Sequence, residues 1–331
     1  MEQPTANGRK GRLLLILRIV ATIVFVGLVL WIAPLRETWS TLRGVVVGAM
    51  LIALAAELTQ RVLSIWRWHL LLPPAGIRVP FLQTLRLGFI ALFYNNFMPS
   101  TVGGDVAKSY LAIKGGQSSA EGVVASVLVD RMVVGWGSIV VFGLVISAFL
   151  DTPRYQAALV ALLGAGVVAA VVVFLLARRQ VSTTGEEPRG ALNRWLRKAA
   201  DMLTRISAAL LRYRHHRAAL GVSWLVSCAT IPVMGIALQY WCASVGHPVP
   251  FVRMMAVAVI LKIVGIVPVS INNVGWSEGA TLVLLTWAGL GRPEALAVAV
   301  LQRIAGIVLS LLGAGAQFWQ PAEKADEPAA S

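Results

Sequence analysis

Hydrophobic residues in this 331-residue chain gather into long runs rather than alternating, and such runs predict helices of membrane length. Apolar stretches cover residues 13–33, 45–65, 81–98, 121–150, 155–177, 218–244, 251–290 and 294–318. Those at 13–33 and 157–177 are nearly unbroken over about 20 residues, the length a helix needs to cross a bilayer, whereas barrel strands are short and alternate. The pattern predicts an all-α, polytopic helical membrane protein. The first run lacks a small-residue cleavage site followed by a soluble domain, so it is expected to stay as a helix.

Two runs are interrupted in the same way. Phe97-Met98-Pro99-Ser100-Thr101-Val102-Gly103-Gly104-Asp105 and Ile266-Val267-Pro268-Val269-Ser270-Ile271-Asn272-Asn273-Val274-Gly275-Trp276-Ser277-Glu278 both pass from an apolar segment through a proline and a small polar turn to a carboxylate. The echo continues downstream, with 26 residues from Asp105 to Arg131 and 25 from Glu278 to Arg303. Interrupted hydrophobic segments at corresponding places in two halves point to a transporter's binding site. Backbone that leaves helical form at membrane depth survives only when buried in protein or lining a wet cavity. Asn95, Asn96, Asn272 and Asn273 offer donors and acceptors at the breaks, Gly103-Gly104 permits a tight turn, Asp105 is placed to cap the helix that follows the first break, and after Gly275 either Ser277 or Glu278 stands at the start of the next helix.

Composition agrees with the pattern. Hydrophobic residues make up 57% and charged residues 13%, with a mean hydropathy of +0.75, more apolar surface than a water-soluble domain can bury. A net charge of +14 would suggest nucleic acid in a soluble protein, but here the bases sit in loops beside hydrophobic spans, where they set orientation. Arg9, Lys10 and Arg12 place the amino terminus in the cytoplasm, and the second helix is expected to deliver Arg61, Arg67, Arg78 and Arg86 to the same side. Residues 178–217 hold ten Lys/Arg against three acids. Within them Leu192, Trp195, Leu196, Ala199, Met202, Leu203, Ile206, Leu210 and Tyr213 recur at helical spacing, predicting an amphipathic helix on an anionic leaflet. The expected organisation is a cytoplasmic segment 1–12, a first membrane half 13–177 broken near 95–105, the basic linker 178–217, a second half 218–318 broken near 268–278, and a disordered tail 319–331. Counting sides, the first break hangs from the inner face and the second from the outer, an inverted-topology repeat whose broken helices span or re-enter.

The charges near the breaks carry the candidate chemistry. Asp130, Arg131, Lys262 and Arg303 lie within apolar runs, Lys108 just after the first break, and each charge at bilayer depth costs at least a few kcal/mol unless paired or hydrated. Arg131 and Arg303 hold equivalent repeat positions and can present two guanidinium groups to a central cavity, gripping a phosphate in bidentate fashion. An internal network pairing Asp105 with Arg131 and Glu278 with Arg303 explains the same residues. Glu57 and Arg61, four apart on the second helix, read as a structural ion pair. Nothing suggests catalysis: His69, His215, His216 and His247 have no metal-ligand spacing, and a phosphate-binding GxxxxGK[ST] loop is absent from the sequence.

Asn95-Asn96-Phe97-Met98-Pro99 with Gly103-Gly104-Asp105, then Asp130-Arg131, then Asn273-Val274-Gly275-Trp276-Ser277-Glu278-Gly279, resembles the lysylphosphatidylglycerol synthase transmembrane region family over roughly residues 13–318. Asn272-Asn273 stands where that family more often has glycines. The family contains stand-alone flippase-like proteins and supplies the membrane part of multiple peptide resistance factors. The resemblance implies a lipid flippase or lipid-binding transporter of the bacterial inner membrane, acting on an anionic or aminoacylated phospholipid or a lipid-linked glycan. Phosphate would meet Arg131, Arg303 and Lys262, while Asp105 and Glu278 pair with an amine or carry protons. No cofactor, metal, nucleic acid or aminoacyl transfer is expected. The chain is expected to act as a monomer or homodimer, and the alternative is an accessory subunit presenting a lipid-linked substrate to a separate lipid-modifying enzyme.

Basic-residue asymmetry predicts that residues 178–217 share the cytoplasmic side with the amino terminus, while 34–43 and 244–253 face outward. In a protein lacking Cys228 and Cys242, single cysteines at 34–43 should react with an impermeant thiol reagent on intact cells, and cysteines in the 190s should react only after lysis. Labelling of a 190s cysteine from outside would overturn the orientation.

Overall fold

The computed structural model describes residues 34–97, 103–114, 120–147, 215–266 and 269–318, together with Tyr213 and positions scattered within 20–31 and 156–164. The elements are α1 (Leu35–Arg43), α2 (Val47–Leu70), α3 (Phe81–Phe97), α4 (Gly103–Lys114), α5 (Ala120–Val129), α6 (Trp136–Ser147), α7 (Arg217–Ser244), α8 (Phe251–Ile266), α9 (Trp276–Trp287) and α10 (Arg292–Phe318). A π-helical turn, Asp130–Gly135, joins α5 to α6, and single 3-10 turns lie at Pro73–Ala75 and Ile271–Asn273. Among the described residues there is no strand. Three segments, Val47–Ala75, Arg217–Ser244 and Arg292–Phe318, are long and apolar enough to cross a bilayer.

Local chemistry explains where the helices stop. α2 runs past its expected end at residue 65, so Arg67 lies inside the helix together with Arg61. It ends before Pro73-Pro74, which lack the N–H groups a further turn needs, and Gly76 reverses the chain at φ +83°. Residues 34–43, expected as a connection, fold mostly into α1. The helix expected at 121–150 is interrupted at Asp130 by the π turn, a feature that often marks functional positions.

Hydrogen bonds between helix ends give the topology. The amide of Val46 donates to Ser244 O (2.8 Å), tying the start of α2 to the end of α7, and Tyr213 Oη donates to Leu71 O (2.6 Å) at the opposite end. α2 and α7 are therefore antiparallel along their whole length. Arg86 Nε donates to Ala316 O (2.8 Å), so α3 starts beside the end of α10. Arg253 Nη1 donates to Ala288 O (3.3 Å), so α8 starts beside the end of α9. The hairpin α3–α4 thus enters from the end where α2 and α10 finish, and the hairpin α8–α9 enters from the other. With 17 and 16 residues, α3 and α8 are about 25 Å and 24 Å long, short of the ~30 Å hydrocarbon layer. Their tips meet at the middle, where Asn272 Nδ2 donates to Asn96 O and Asn96 Nδ2 to Gly306 O on α10 (3.2 Å). Two broken hairpins of opposite direction form the inverted-topology repeat that the pattern predicted.

Packing is tight inside and apolar outside. Leu238, Trp241, Met254, Leu285 and Val298 centre one buried cluster among α7, α8, α9 and α10, and Trp68, Leu71, Val123 and Tyr213 centre another where α2 ends. Outward faces carry exposed Leu225 (62 %), Val283 (66 %), Val308 (53 %) and Leu311 (51 %), a surface whose natural solvent is lipid. Close helix contacts are made at glycines. Gly275, at φ +77°, lies against Phe25 and Val26, where a Cβ would come within 2.7 Å of Phe25 Cβ. At Gly313 an added Cβ would meet Phe89 O of α3 at 2.0 Å.

Several expectations fall on residues outside those described: most of the helices at 13–33 and 155–177, the amphipathic linker helix apart from its end at Tyr213, the tail 319–331, and Pro99.

The glycine contact gives a paired prediction on one helix. Gly313→Ala should force α3 and α10 apart and lower the Tm in detergent, whereas Gly315→Ala, with no described atom within 4 Å of its Cβ, should match or exceed wild type by up to about 1 kcal/mol. Equal behaviour of the two variants would refute the close approach.

Candidate functional site

Two polar cavities sit back to back inside the helical body. The first, about 400 Å³, opens among α2, α3, α4, the π turn, α6 and α8. Its described lining carries the cations Arg61, Arg67, Lys108, Arg131 and Lys262 and a single carboxylate, Asp130. Asp130 is buried and held in a bidentate pair by Arg67, Nε to Oδ1 at 2.7 Å and Nη2 to Oδ2 at 2.8 Å. Arg67 Nη1 also donates to Ser227 Oγ (2.9 Å), which shares a 2.8 Å hydrogen bond with Ser138 Oγ. This network joins α2, the π turn, α6 and α7, and it engages all three guanidinium nitrogens of an arginine that would otherwise be costly to bury. Lys262 Nζ donates to Thr230 Oγ1 (3.0 Å). The Lys108 ammonium lies 4.6 Å above the Trp68 ring, whose indole N–H donates to Ser126 Oγ (3.1 Å).

The second cavity, about 310 Å³, is bounded by α2, α7, α8, α9, α10 and the two hairpin tips. Gln60 and Arg61 of α2 line both cavities and form part of the wall between them. Its charges come in pairs. Arg303 Nε is hydrogen-bonded to Glu278 Oε1, and Arg61 Nη2 lies 3.7 Å from Glu57 Oε2. Glu57 Oε1 also accepts from Trp241 Nε1 (2.9 Å). Glu278 has a second task, since its Oε2 accepts the Gly275 amide (2.7 Å) and caps α9. Asn272 and Asn273 sit at φ 52° and 56°, in the left-handed region. Glycine adopts it freely and asparagine tolerates it, so this pair can hold the turn that a glycine would otherwise take.

The expected site residues divide between the two chambers. Asn95, Lys108, Asp130, Arg131 and Lys262 line the first; Asn96, Asn272, Asn273, Glu278 and Arg303 line the second. Gly275 stands behind the second as the helix cap. Gly103, Gly104 and Asp105 form the first turn of α4, with side chains outside those described, so the Asp105 to Arg131 pair lies outside them too. Arg131 and Arg303 do not face one shared cavity: one lines each chamber, because the Gln60–Arg61 turn of α2 and the hairpin tips come between. Glu278 and Arg303 pair as the network alternative had it. Sequence reasoning passed over Arg67 and Gln60, treating the first as a cytoplasmic base. The available signal was a run of helix-forming residues continuing to the Pro73-Pro74 stop, which puts Arg67 within the span.

Fold and cavities together define a polytopic helical membrane protein that keeps charged chambers within an apolar shell. Residues 15–313 match the family described as Lysylphosphatidylglycerol synthase TM region, and the chain belongs to that family of membrane domains associated with lipid modification or transport. No curated protein matches the chain.

The Arg67–Asp130 pair sets a stability expectation. Arg67→Gln strands a buried carboxylate and should cost about 3–5 kcal/mol, while Arg67→Gln with Asp130→Asn should recover most of it. Thermal unfolding in detergent reads both. A double variant as unstable as the single would mean that Arg67 acts by packing and not by charge.

Proposed function

We propose that the protein is a carrier for a phosphate-bearing lipid, binding its headgroup in the first cavity and passing it across the bacterial inner membrane by way of the second. The observation that carries this reading is the described lining of the first cavity, where five cationic side chains stand with one carboxylate; Arg67 holds that carboxylate, and Arg61 lies beside Glu57 of the second cavity. Lys and Arg converging in a chamber of low dielectric attract a phosphate far more strongly than on a wet surface. An apolar exterior lets the acyl chains stay in lipid while the headgroup is inside. Passage between the chambers requires the contact of Asn272 with Asn96 to open and the Gln60–Arg61 wall to yield. The hairpins then re-enter the membrane from opposite faces, with the end of α2 cytoplasmic under the positive-inside rule. We read the chain as a carrier and not an enzyme because Asp130 and Glu278, the acids nearest the cations, are held in ion pairs.

Purified protein in liposomes tests this through movement of a fluorescent anionic phospholipid between leaflets, followed by chemical quenching of the outer one. Wild type should accelerate movement, and Lys262→Gln should slow it about tenfold or more while remaining monodisperse, since a charge-assisted contact is lost and a neutral amide replaces it. Binding of the lipid without movement would assign the protein instead as a subunit that presents lipid to a partner enzyme.

A further inference from the structure

The two cavities differ in charge, and the difference bears on the headgroup. In the second, Glu57 is matched by Arg61 and Glu278 by Arg303, so the acids and bases that line it cancel. What remains polar is amide and hydroxyl: Gln60, Asn96, Asn272, Asn273, Gln302 and Ser277. Each carboxamide both donates and accepts, which suits a partner whose groups do the same, namely alcohol hydroxyls. Asn272 Oδ1 and Asn273 Oδ1 are buried and accept no hydrogen bond among the described groups. Buried acceptors without donors are rare in settled structures and call for a donor from outside the chain. An ammonium group is a poor candidate for that donor. Both carboxylates already hold guanidinium groups, and the described lining of the adjoining chamber carries four cations besides Arg61.

We propose that the second cavity is a subsite for an uncharged, hydroxyl-rich headgroup, so that the lipid is an anionic glycosyl- or polyol-phosphate lipid rather than a cationic aminoacyl one. The proposal rests on the carrier reading above and refines it. The phosphate is held among the cations of the first cavity, and the hydroxyls are read by the amides of the second once the Gln60–Arg61 wall between them yields. Gln60, which lines both, lies where the two parts of such a headgroup join.

Binding by purified protein in detergent to four probes tests the assignment: short-chain phosphatidylinositol, phosphatidic acid of the same chains, lysyl-phosphatidylglycerol, and free inositol phosphate. Phosphatidylinositol should bind about tenfold more tightly than phosphatidic acid, as expected for one or two added hydrogen bonds, and lysyl-phosphatidylglycerol should bind more weakly than either. Free inositol phosphate should bind far more weakly than its lipid, and equal affinity would overturn the lipid as the source of the headgroup. Gln302→Leu should abolish the preference for inositol. Asn273→Gly, which keeps the left-handed backbone and removes only the amide, should do the same if the leucine variant fails to fold. Equal affinity for the inositol and phosphatidic acid lipids in wild type, or tightest binding of the lysyl lipid, would overturn the polyol subsite. The carrier reading then still stands if Lys262→Gln weakens phosphatidic acid, and it falls if Lys262→Gln leaves every lipid unchanged.

Discussion

Everything in this molecule turns on how non-helical backbone is satisfied at the point where the two hairpins meet. Hydrocarbon offers no hydrogen bonds, so a break in a membrane helix must find its partners within the protein. Here the second tip serves the first, and α10 serves both. Asn272 donates to the carbonyl of Asn96, Asn96 donates to Gly306, Asn273 donates to Gly265, and Arg303 reaches the carbonyl of Asn273. Glu278 caps the helix that leaves the second tip and holds Arg303 in place to do so. A tip contact of this kind is a natural point of movement, since it consists of a few hydrogen bonds between elements anchored at opposite ends of the protein.

Electrostatics then separates structure from recognition. Pairs that bridge distant helices, Arg67 with Asp130 and Arg303 with Glu278, hold elements together at the cost of desolvating both partners, and each is supported by further hydrogen bonds that offset this. Among the described residues, the lining of the first cavity carries more cations than acids, whereas in the second each carboxylate is matched by an arginine. The cation-rich described lining on one side and the amide-rich lining on the other set the two chambers apart, although the breaks beside them echo one another in sequence.

Packing supplies the frame within which these polar parts are held. Among membrane helices, apolar residues gain nothing by leaving lipid for a partner helix, so close contact depends on small residues and complementary shape. Gly313 lets α10 touch the backbone of α3, and Gly275 admits the helical residues 22–28 against the second tip, with Phe25 set edge-on to Trp276. The indole of Trp276 in turn donates to Val264 and ties α9 to α8. The hairpins are thereby positioned by backbone-to-backbone contact, which leaves their polar side chains available for the cavities.

The sequence by itself determined the helical class, the two interrupted segments and their opposite directions. Membrane thickness imposes the run lengths, which are therefore written locally along the chain. It also marked Asn272-Asn273, a pair suited to the left-handed backbone found there. Only the tertiary structure decided which charge meets which. Asp130 adjoins Arg131 in the motif, yet it is held by Arg67, 63 residues earlier, because the rotation of α2 against the π turn aims that guanidinium at the carboxylate. It likewise decided that Arg131 and Arg303, equivalent along the chain, line separate chambers. Helix rotation and separation are sums over many weak contacts between distant segments, and no local pattern of residues records that sum.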